Sequence, residues 1–461
     1  MIRKIQIKNF KAIQAASVKA TDLTVFVGNN GSGKSSVIEA LQTLQNILLY
    51  GLSTGFNERW FGIEYIRNAS SATSRQNSKI FEHDIEIEIQ GKIGRENYLY
   101  AIRFNATDSG TLYLVTAELL KRNQKIVFEA EIVDEQGNAE LFWEGSIQPT
   151  PYLANRLVLA EKNLHNNHEF VLRMANYIAS WQFLTLEPER MYFPTRRDFG
   201  QIQIRMKSSG ENLADFFSRL FVVGFDEAKE MLKQENEEFA RIYRKHRELN
   251  EELLVLEGKK DLTPDEESRE KTIKKDKLRL KDDMAEMIRG QIKGYHDTLK
   301  NNNLILDKMH YVLPDLENIG TEEIAIQKQI YLFLQGQSDD KRLPSWLLSS
   351  GTLRILALLA IFNSPAMPPV VFIEEIENGL DPRTLNLLVE EIRGVLPDQQ
   401  VIVTTHSPYF LDLVALQHIV VAERKEGKTT YYRPDDDERL NAWKEKFSAG
   451  NLYTMNKLTR L

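Results

Sequence analysis

Cysteine is absent from the 461-residue chain, and the formal net charge is −7. The lack of cysteine excludes disulfides, thiol nucleophiles, cysteine-ligated zinc and iron–sulfur clusters, and it predicts a reducing compartment. No apolar run has the length of a membrane span, and the first residues lack the apolar core of a signal peptide. We therefore expect a cytoplasmic protein with no membrane contact. The mildly acidic charge argues against a globally basic nucleic-acid binder, although a local basic groove remains compatible with it.

A strand, a glycine loop and a helix are predicted at the start of the chain. "LTVFV" has the apolar pattern of a buried strand, and "SSVIEALQTLQNIL" has apolar residues at helical spacing. Between them, Gly28, Gly33, Lys34 and Ser35 fit the GxxxxGK[ST] pattern in the context that this motif requires. Glycines let backbone N–H groups wrap phosphate oxygens, and the following helix adds the positive end of its dipole. The predicted nucleotide-binding residues are Asn30, Gly31, Ser32, Gly33, Lys34, Ser35 and Ser36.

The next part of the chain predicts a loop region over 51–80 and then an antiparallel sheet. The sheet prediction rests on the alternating segments "DIEIEIQG", "NYLYAIRF", "TLYLVTAELL" and "KIVFEAEIVD", which turn residues separate. Residues 155–220 have a mixed, mostly helical pattern.

Residues 226–300 predict an antiparallel helical hairpin, because they are highly charged and carry heptad rows of apolar side chains. "EGKKDLTPDEE" interrupts the rows, and Thr263 with Glu266 forms a capping box for the returning helix. The simpler alternative is a single bent surface helix. The hairpin tip near 257–263 is our candidate for a sensing or docking surface.

The last third of the chain alternates helices and strands, which is typical of a mostly parallel sheet. We therefore predict an α/β fold, a nucleotide-binding head whose mixed sheet is split by the inserted hairpin. The predicted domains are an N-terminal lobe over 1–220, the hairpin over 221–305 and a C-terminal lobe over 306–461.

Two acids and a histidine are the candidate catalytic groups. "VVFIEEIENG" delivers Glu374 and Glu375 to the carboxyl end of a buried strand, where α/β sheets bind ligands. Glu374 together with Ser35 is the predicted Mg²⁺ site, and Glu375 is predicted to polarise the attacking water. His406 ends the following strand, so it should lie at the same edge and sense the γ-phosphate. His165 and His168 lack partners at ligand spacing, and a solvated loop is the simpler interpretation.

The segment "LSSGT" (348–352) resembles the signature motif of ATP-binding-cassette ATPases of the SMC and RecF kind. Residues 378–382 resemble their D-loop, and His406 resembles their switch histidine. "IQIKNFKAI", "SSGENLADFF", "FIEEIENGLDP" and "VTTHSPYFLD" are similar to the narrower RecF-like and overcoming-lysogenization-defect (OLD) group. The resemblance runs from residue 2 to about 424, the hairpin excepted. Ile376 stands where the group usually has proline, and the Q-loop glutamine has only Gln182 and Gln203 as weak candidates.

The resemblance implies a composite site in which two copies of the chain sandwich two ATP molecules with Mg²⁺. Each ATP would be held by the phosphate loop of one copy and by the signature turn of the other. On this basis Ser349, Ser350, Gly351 and Asp381 are expected to contribute to nucleotide binding, and the homodimer could assemble further into a ring such as a hexamer.

Two functions from different classes remain open. The first is an ATPase sensor subunit of an antiphage system, similar to the AriA subunit of PARIS or the PtuA subunit of Septu. We expect it to control a separately encoded Toprim-like or HNH nuclease and to respond to a phage protein or to DNA. The residues after His406 are too few for a Toprim module, so we expect no nuclease activity in this chain. The second is a RecF-like DNA-repair clamp without a nuclease, whose candidate phosphate contacts are Arg190, Arg196, Arg197, Arg205 and Lys207.

Overall fold

The structure is a computed structural model. It describes residues 1–68, 84–106, 112–134, 136–146, 148–161, 168–196, 205–220, 232, 236–257, 263, 266, 268–280, 283–284, 286–287, 304–324, 327–337, 341–364, 367–396, 398–437 and 446–458. The chain forms two compact units. The first comprises Met1–Glu187, Lys207–Gly210 and Ala366–Leu461, and the second comprises Pro188–Met206 and Glu211–Pro365. The three domains predicted from the sequence stay a prediction.

The strands are named in chain order. They are β1 (Ile2–Phe10), β2 (Ile13–Lys19), β3 (Leu23–Val27), β4 (Ile85–Ile93), β5 (Glu96–Ala106), β6 (Tyr113–Arg122), β7 (Lys125–Ile132), β8 (Asn138–Trp143), β9 (Thr150–Leu153), β10 (Gln182–Leu184), β11 (Thr195–Arg196), β12 (Leu316–Ile324), β13 (Gln329–Gly336), β14 (Arg342–Pro344), β15 (Val370–Ile373), β16 (Gln400–Thr405), β17 (Ile419–Lys425) and β18 (Lys428–Tyr432).

The α-helices are likewise named in chain order. They are α1 (Lys34–Tyr50), α2 (Leu52–Trp60), α3 (Ile63–Ile66), α4 (Glu169–Ala179), α5 (Pro188–Met191), α6 (Leu213–Leu220), α7 (Glu237–Glu257), α8 (Leu304–Met309), α9 (Ser350–Phe362), α10 (Pro382–Val395), α11 (Pro408–Asp412) and α12 (Ala449–Thr454).

The first unit contains an eight-stranded antiparallel sheet in the order β2-β1-β4-β5-β6-β7-β8-β9. β4 shows why these residues form strands: its buried side chains Ile85, Ile87 and Ile89 alternate with partly exposed Glu86 and Glu88. A period of two places the isoleucines on the core face and the carboxylates on the other. The antiparallel sheet predicted from the alternating segments is thus confirmed over β4–β7, and it extends into β8 and β9.

A second sheet of the same unit carries the site. Its order is β10-β15-β16-β3-β17-β18, with parallel pairing throughout except between β17 and β18. β3, β15 and β16 are buried along their whole length, as expected for parallel strands covered on both faces. The predicted parallel sheet is therefore confirmed.

The prediction of a loop over 51–80 is wrong where the structure describes this stretch, because α2 and α3 occupy most of residues 52–66. α2 is short and has little apolar periodicity, yet Leu52, Gly55 and Phe56 are buried. Gly55 lies so close to the neighbouring helix that a Cβ there would be 2.5 Å from Cγ1 of Ile47. Packing against α1 therefore stabilises a helix that its own sequence signals only weakly.

The second unit contains a small antiparallel sheet in the order β11-β13-β12, with β14 paired to the other edge of β13. Strands were not predicted in this part of the chain. The exposed face of β12, with its irregular burial pattern, explains the weak signal. α9 also belongs to this unit, and it is buried from Leu353 to Phe362.

The two arms of the inserted hairpin run in opposite directions. Arg269 pairs with Glu252 at 2.8 Å, and the Lys277 ammonium donates to the Asn250 side chain at 2.6 Å, so α7 lies against helical residues 268–280. The apolar seam is made by Leu249, Leu253, Leu256, Ile273 and Leu280, and farther along by Leu232, Phe239, Ile242, Met284 and Met287. The Thr263–Glu266 capping box is present. Of the predicted tip, residues 258–262 lie outside the described residues.

Across the described ranges, we find no helix with the length and apolar character that a bilayer span requires.

Candidate functional site

The phosphate loop between β3 and α1 depends on glycines at three positions. Gly28, Gly31 and Gly33 have φ values of +152°, +74° and +98°, which residues other than glycine rarely adopt. At Gly28 a Cβ would also lie 2.1 Å from the carbonyl oxygen of Ala422 on β17. The sequence therefore specifies a loop in which the backbone itself is the binding surface.

Lys34 begins α1, and its side chain folds back over the loop. Its ammonium donates to the carbonyl oxygens of Gly28 at 2.8 Å and Asn29 at 3.0 Å. Burial lowers the pKa of this ammonium, and the carboxylates of Glu375 and Glu377 oppose that shift. The structure thus places the predicted phosphate-binding Lys34 and the predicted catalytic Glu375 close enough for their charges to interact.

Ser35 and Glu374 meet at the predicted metal position. The Ser35 hydroxyl lies near the Glu374 carboxylate. Burial raises the pKa of Glu374 and the neighbouring Glu39 adds to this, while Arg59, Ser35 and Lys11 oppose it. A hydroxyl and a carboxylate side by side are the hard oxygen donors that Mg²⁺ prefers. The donor types present therefore fit the cation that the sequence predicts.

Glu375 follows immediately and has an unusual backbone. Its φ is +49°, a left-handed conformation that is uncommon for a residue with a side chain. Its N–H donates to the hydroxyl of Thr404 at 2.9 Å, and its own side chain is exposed. The hydrogen bond to Thr404 in the neighbouring strand stabilises this backbone conformation.

His406 lies at the edge predicted for it. β15 and β16 are parallel neighbours with Ile373 opposite Val403, so the residues that follow both strands share one edge. Burial lowers the pKa of the His406 imidazole and the charge of Lys34 lowers it further, while Glu377 and Glu375 oppose the shift.

Several charged residues beside the site escaped the sequence-based reasoning. Glu377 accepts hydrogen bonds from the segment that carries His406. On the other flank, Glu39 pairs with Lys11 at 2.6 Å and with Arg59 at 3.6 Å. Both cations also lie over the ring of Trp60, at 4.5 and 4.7 Å from its centroid. The motif "NFKAI" contains Lys11, but neither spacing nor periodicity connects it to Glu39.

The signature turn lies in the second unit. Ser349 caps α9: its hydroxyl oxygen accepts from the N–H of Thr352 at 3.1 Å. Ser349 and Ser350 are exposed, and Gly351 is half-buried. These groups therefore form an accessible helix end with its positive dipole pole facing outward.

Asp381 caps α10 in the first unit. Its carboxylate accepts from the N–H groups of Arg383 at 2.8 Å and Thr384 at 3.2 Å, and the Thr384 hydroxyl lowers its pKa. Asp381, predicted to contact the nucleotide, thus caps a helix in the structure.

The weaker candidates take other places. Gln182 is buried in β10 and donates to the Phe183 carbonyl, whereas Gln203 lies outside the described residues. Arg197 and His165 also lie outside them, and His168 stacks on Trp143 with the ring centroids 4.2 Å apart. Of the basic candidates, Arg190 pairs with Glu211 at 3.6 Å. Among residues that the structure describes, no group of three His, Asp or Glu side chains is arranged to hold a metal ion.

A family profile described as "AAA domain, putative AbiEii toxin, Type IV TA system" matches residues 23–412, most of the chain. The chain belongs to this family, AAA_21. The AAA_21 match includes the phosphate loop, the signature turn, both acids and His406. A search among curated protein sequences finds no match.

Solved structures similar to this AAA_21 chain include SMC head domains. The Pyrococcus furiosus Smc head with an extended coiled coil, bound to the C-terminal domain of ScpA, is 14% identical with a TM-score of 0.52. That comparison covers 96% of this chain and 99% of the other. A second Smc head, bound to the C-winged helix domain of ScpA, is 12% identical with a TM-score of 0.48, covering 94% and 96% of the two chains. The first likeness shows the fold, that of an ABC-ATPase head. The family is thus one of AAA domains, and the fold is that of an SMC head.

Proposed function

We propose that the chain binds ATP with Mg²⁺ at its phosphate loop and hydrolyses it. The observation that carries this proposal is the closeness of the Ser35 hydroxyl to the Glu374 carboxylate, which brings the loop and the acidic strand end together. Backbone N–H groups of the loop and the Lys34 ammonium are the phosphate-binding groups. The residues assigned to phosphate binding are Asn30, Gly31, Ser32, Gly33, Lys34, Ser35 and Ser36.

Ser35 and Glu374 are the proposed Mg²⁺ residues. Bound there, Mg²⁺ neutralises charge on the phosphate oxygens. Glu375 is exposed at the edge and orients the attacking water as an acceptor of its proton. His406 is neutral near pH 7 because its pKa is lowered, so its imidazole acts as a hydrogen-bonding group for the γ-phosphate or the water.

A second copy of the chain completes the site in this proposal. Its Ser349, Ser350 and Gly351 present a helix end, and Asp381 lies in its D-loop. The added positive potential at the γ-phosphate strengthens binding of an anion, so ATP holds the two copies together and hydrolysis releases them. Dimers of this kind can join into a ring such as a hexamer.

Glu375→Gln tests the proposal. We expect the variant to bind ATP, to accumulate as a dimer in analytical ultracentrifugation and to lose roughly 100-fold or more in kcat. Glu390→Gln, on the exposed face of α10, is the control and should behave as the parent. Ser349→Arg should prevent the ATP-dependent dimer and lower kcat while leaving ATP binding by the monomer. Full ATPase activity in a strictly monomeric preparation would reject the composite site.

We further propose that the ATPase is the sensor and scaffold subunit of an antiphage complex. The family description names a toxin of a type IV toxin–antitoxin system, and the OLD-like motifs of the sequence support the same role. The effector in this proposal is a separate Toprim-like or HNH nuclease, and the trigger is a phage protein or DNA. The ScpA-bound Smc heads offer a precedent for a head that holds a partner protein.

Co-expression with the neighbouring genes tests the biological role. A nuclease encoded beside this gene should co-purify with the chain, and the pair should protect cells from phage while Glu375→Gln does not. Recovery of replication proteins without a nuclease, together with DNA binding that salt weakens, would instead support a RecF-like clamp.

A further inference from the structure

Glu377 connects the loop after β15 with the end of β16. Its Oε2 accepts from the hydroxyl of Thr405 at 2.8 Å, and its Oε1 accepts from the backbone N–H of His406 at 2.5 Å. The Thr405 hydroxyl in turn accepts from the N–H of Ser407 at 3.0 Å. A single carboxylate thus fixes the backbone on both sides of the His406 amide.

A second attachment lies one step away in the same two segments. The N–H of Glu375 donates to the Thr404 hydroxyl at 2.9 Å. Glu375 and Glu377, in the loop after β15, are therefore hydrogen-bonded to residues 404–406 at the end of β16. Hydrogen bonds to an ionised acceptor are shorter and stronger than neutral ones, so the Glu377 contacts dominate this connection.

Charge gives Glu377 a second effect on the site. Among the described residues, Lys34, Glu375 and Glu377 are the charged groups whose charges act on the pKa of the His406 imidazole. Lys34 disfavours the protonated ring, whereas the two carboxylates favour it. The carboxylate is thus placed to influence the imidazole as well as the backbone that carries it.

We propose that Glu377 is a positioning residue that holds His406 in register with Glu375 and adds a negative charge close to it. This inference rests on the proposed ATPase site, but it makes a claim about the nucleotide-free protein as well. A residue that only stabilises the local backbone would affect the free energy of unfolding without changing the pKa of His406.

The test begins with NMR titration of the histidine ring protons in the nucleotide-free chain, which has eight histidines. His406 is assigned by the signal missing in His406→Gln. Glu377→Gln keeps an acceptor oxygen for the His406 amide and removes the charge, so we expect the His406 pKa to fall further. Glu390→Gln should leave it unchanged. An unaltered His406 pKa in a folded Glu377→Gln variant would overturn the proposal.

Kinetics supply the second readout. Glu377→Gln should lower kcat roughly 10-fold, equivalent to about 1.4 kcal/mol, with little change in KM for ATP. Thr405→Val removes one donor but keeps the charge, so kcat should fall while the His406 pKa stays near that of the parent. Thr405→Ser, which retains the hydroxyl, should restore kcat. If the parent chain hydrolyses no ATP, the proposed function fails, and the titration still decides the role of Glu377.

Discussion

The ammonium of Lys34 lies 2.8 Å from the carbonyl oxygen of Gly28, a partner within its own loop. The Tyr453 hydroxyl approaches the same oxygen at 3.4 Å. When Lys34 turns toward a phosphate, this carbonyl loses its stronger donor. A bound nucleotide must therefore accept a stronger hydrogen bond from Lys34 than the loop carbonyls do. A charged phosphate oxygen accepts such a bond.

Lys34→Met should weaken ATP binding more than any other single change in the loop. Losing a charge-assisted hydrogen bond costs about 1.5–3 kcal/mol, which corresponds to a roughly 10- to 150-fold higher Kd. Isothermal titration calorimetry with Mg²⁺ and ATP measures this. Lys428→Met on exposed β18 is the matched control. Equal ATP affinity in the two variants would contradict the role of Lys34.

Gly28→Ala should destabilise the first unit even without nucleotide. The new Cβ would overlap the Ala422 carbonyl, and the φ of +152° disfavours any side chain. We expect a loss of about 1–3 kcal/mol in the free energy of unfolding, measured by urea denaturation. Gly394→Ala in α10 meets nothing within 4 Å, and it should instead stabilise by about 0.5–1 kcal/mol. A neutral Gly28→Ala variant would show that the loop can relax.

Glu118 gives the first unit a pH-dependent stability. It is buried and accepts from the Tyr100 hydroxyl and from the N–H groups of Val158 and Leu159, and burial raises its pKa to about 7. Because the folded pKa exceeds the unfolded value of 4.5, its contribution is complete below pH 4.5 and is lost as pH rises toward 7.

Glu118→Gln cannot titrate, so it should remove this part of the pH dependence. The free energy of unfolding of the parent relative to the variant should fall between pH 5 and 7, by at most about 1.4 kcal/mol per pH unit, and level off above pH 7. Urea denaturation of both proteins at several pH values gives the difference curve. A flat curve would mean that Glu118 has an ordinary pKa.

His406 predicts the acid limb of the ATPase profile. If the neutral imidazole is the active form, kcat should rise with pH through a pKa below 6.5 and then become constant. His406→Gln should be slow and should lack this limb. A limb that survives in the variant would assign it to another group.

The regular parts of the fold followed from local patterns. The isoleucine alternation of β4 and the mostly apolar sequence of β3 predict their strands, and the glycine–lysine loop predicts a phosphate site. α2 was missed because its stability comes from burial against α1 rather than from its own periodicity.

The contacts around the site were less accessible to sequence reasoning. Glu377 was missed because its partners lie 28 and 29 residues away, in a strand whose register only the folded sheet fixes. The approach of Ala422 to Gly28 has the same origin. Spacing motifs identify groups that meet the ligand, but not the groups that hold them.

β3, which leads into the phosphate loop, lies between β16 and β17, and these strands follow it by several hundred residues. A ribosome adding about 5–20 residues per second would need roughly 20–75 seconds to supply them. During synthesis this apolar strand therefore has no native neighbours on either side. The proposed ATP site should be among the last parts of the protein to form, and newly made chains should depend on chaperones until then.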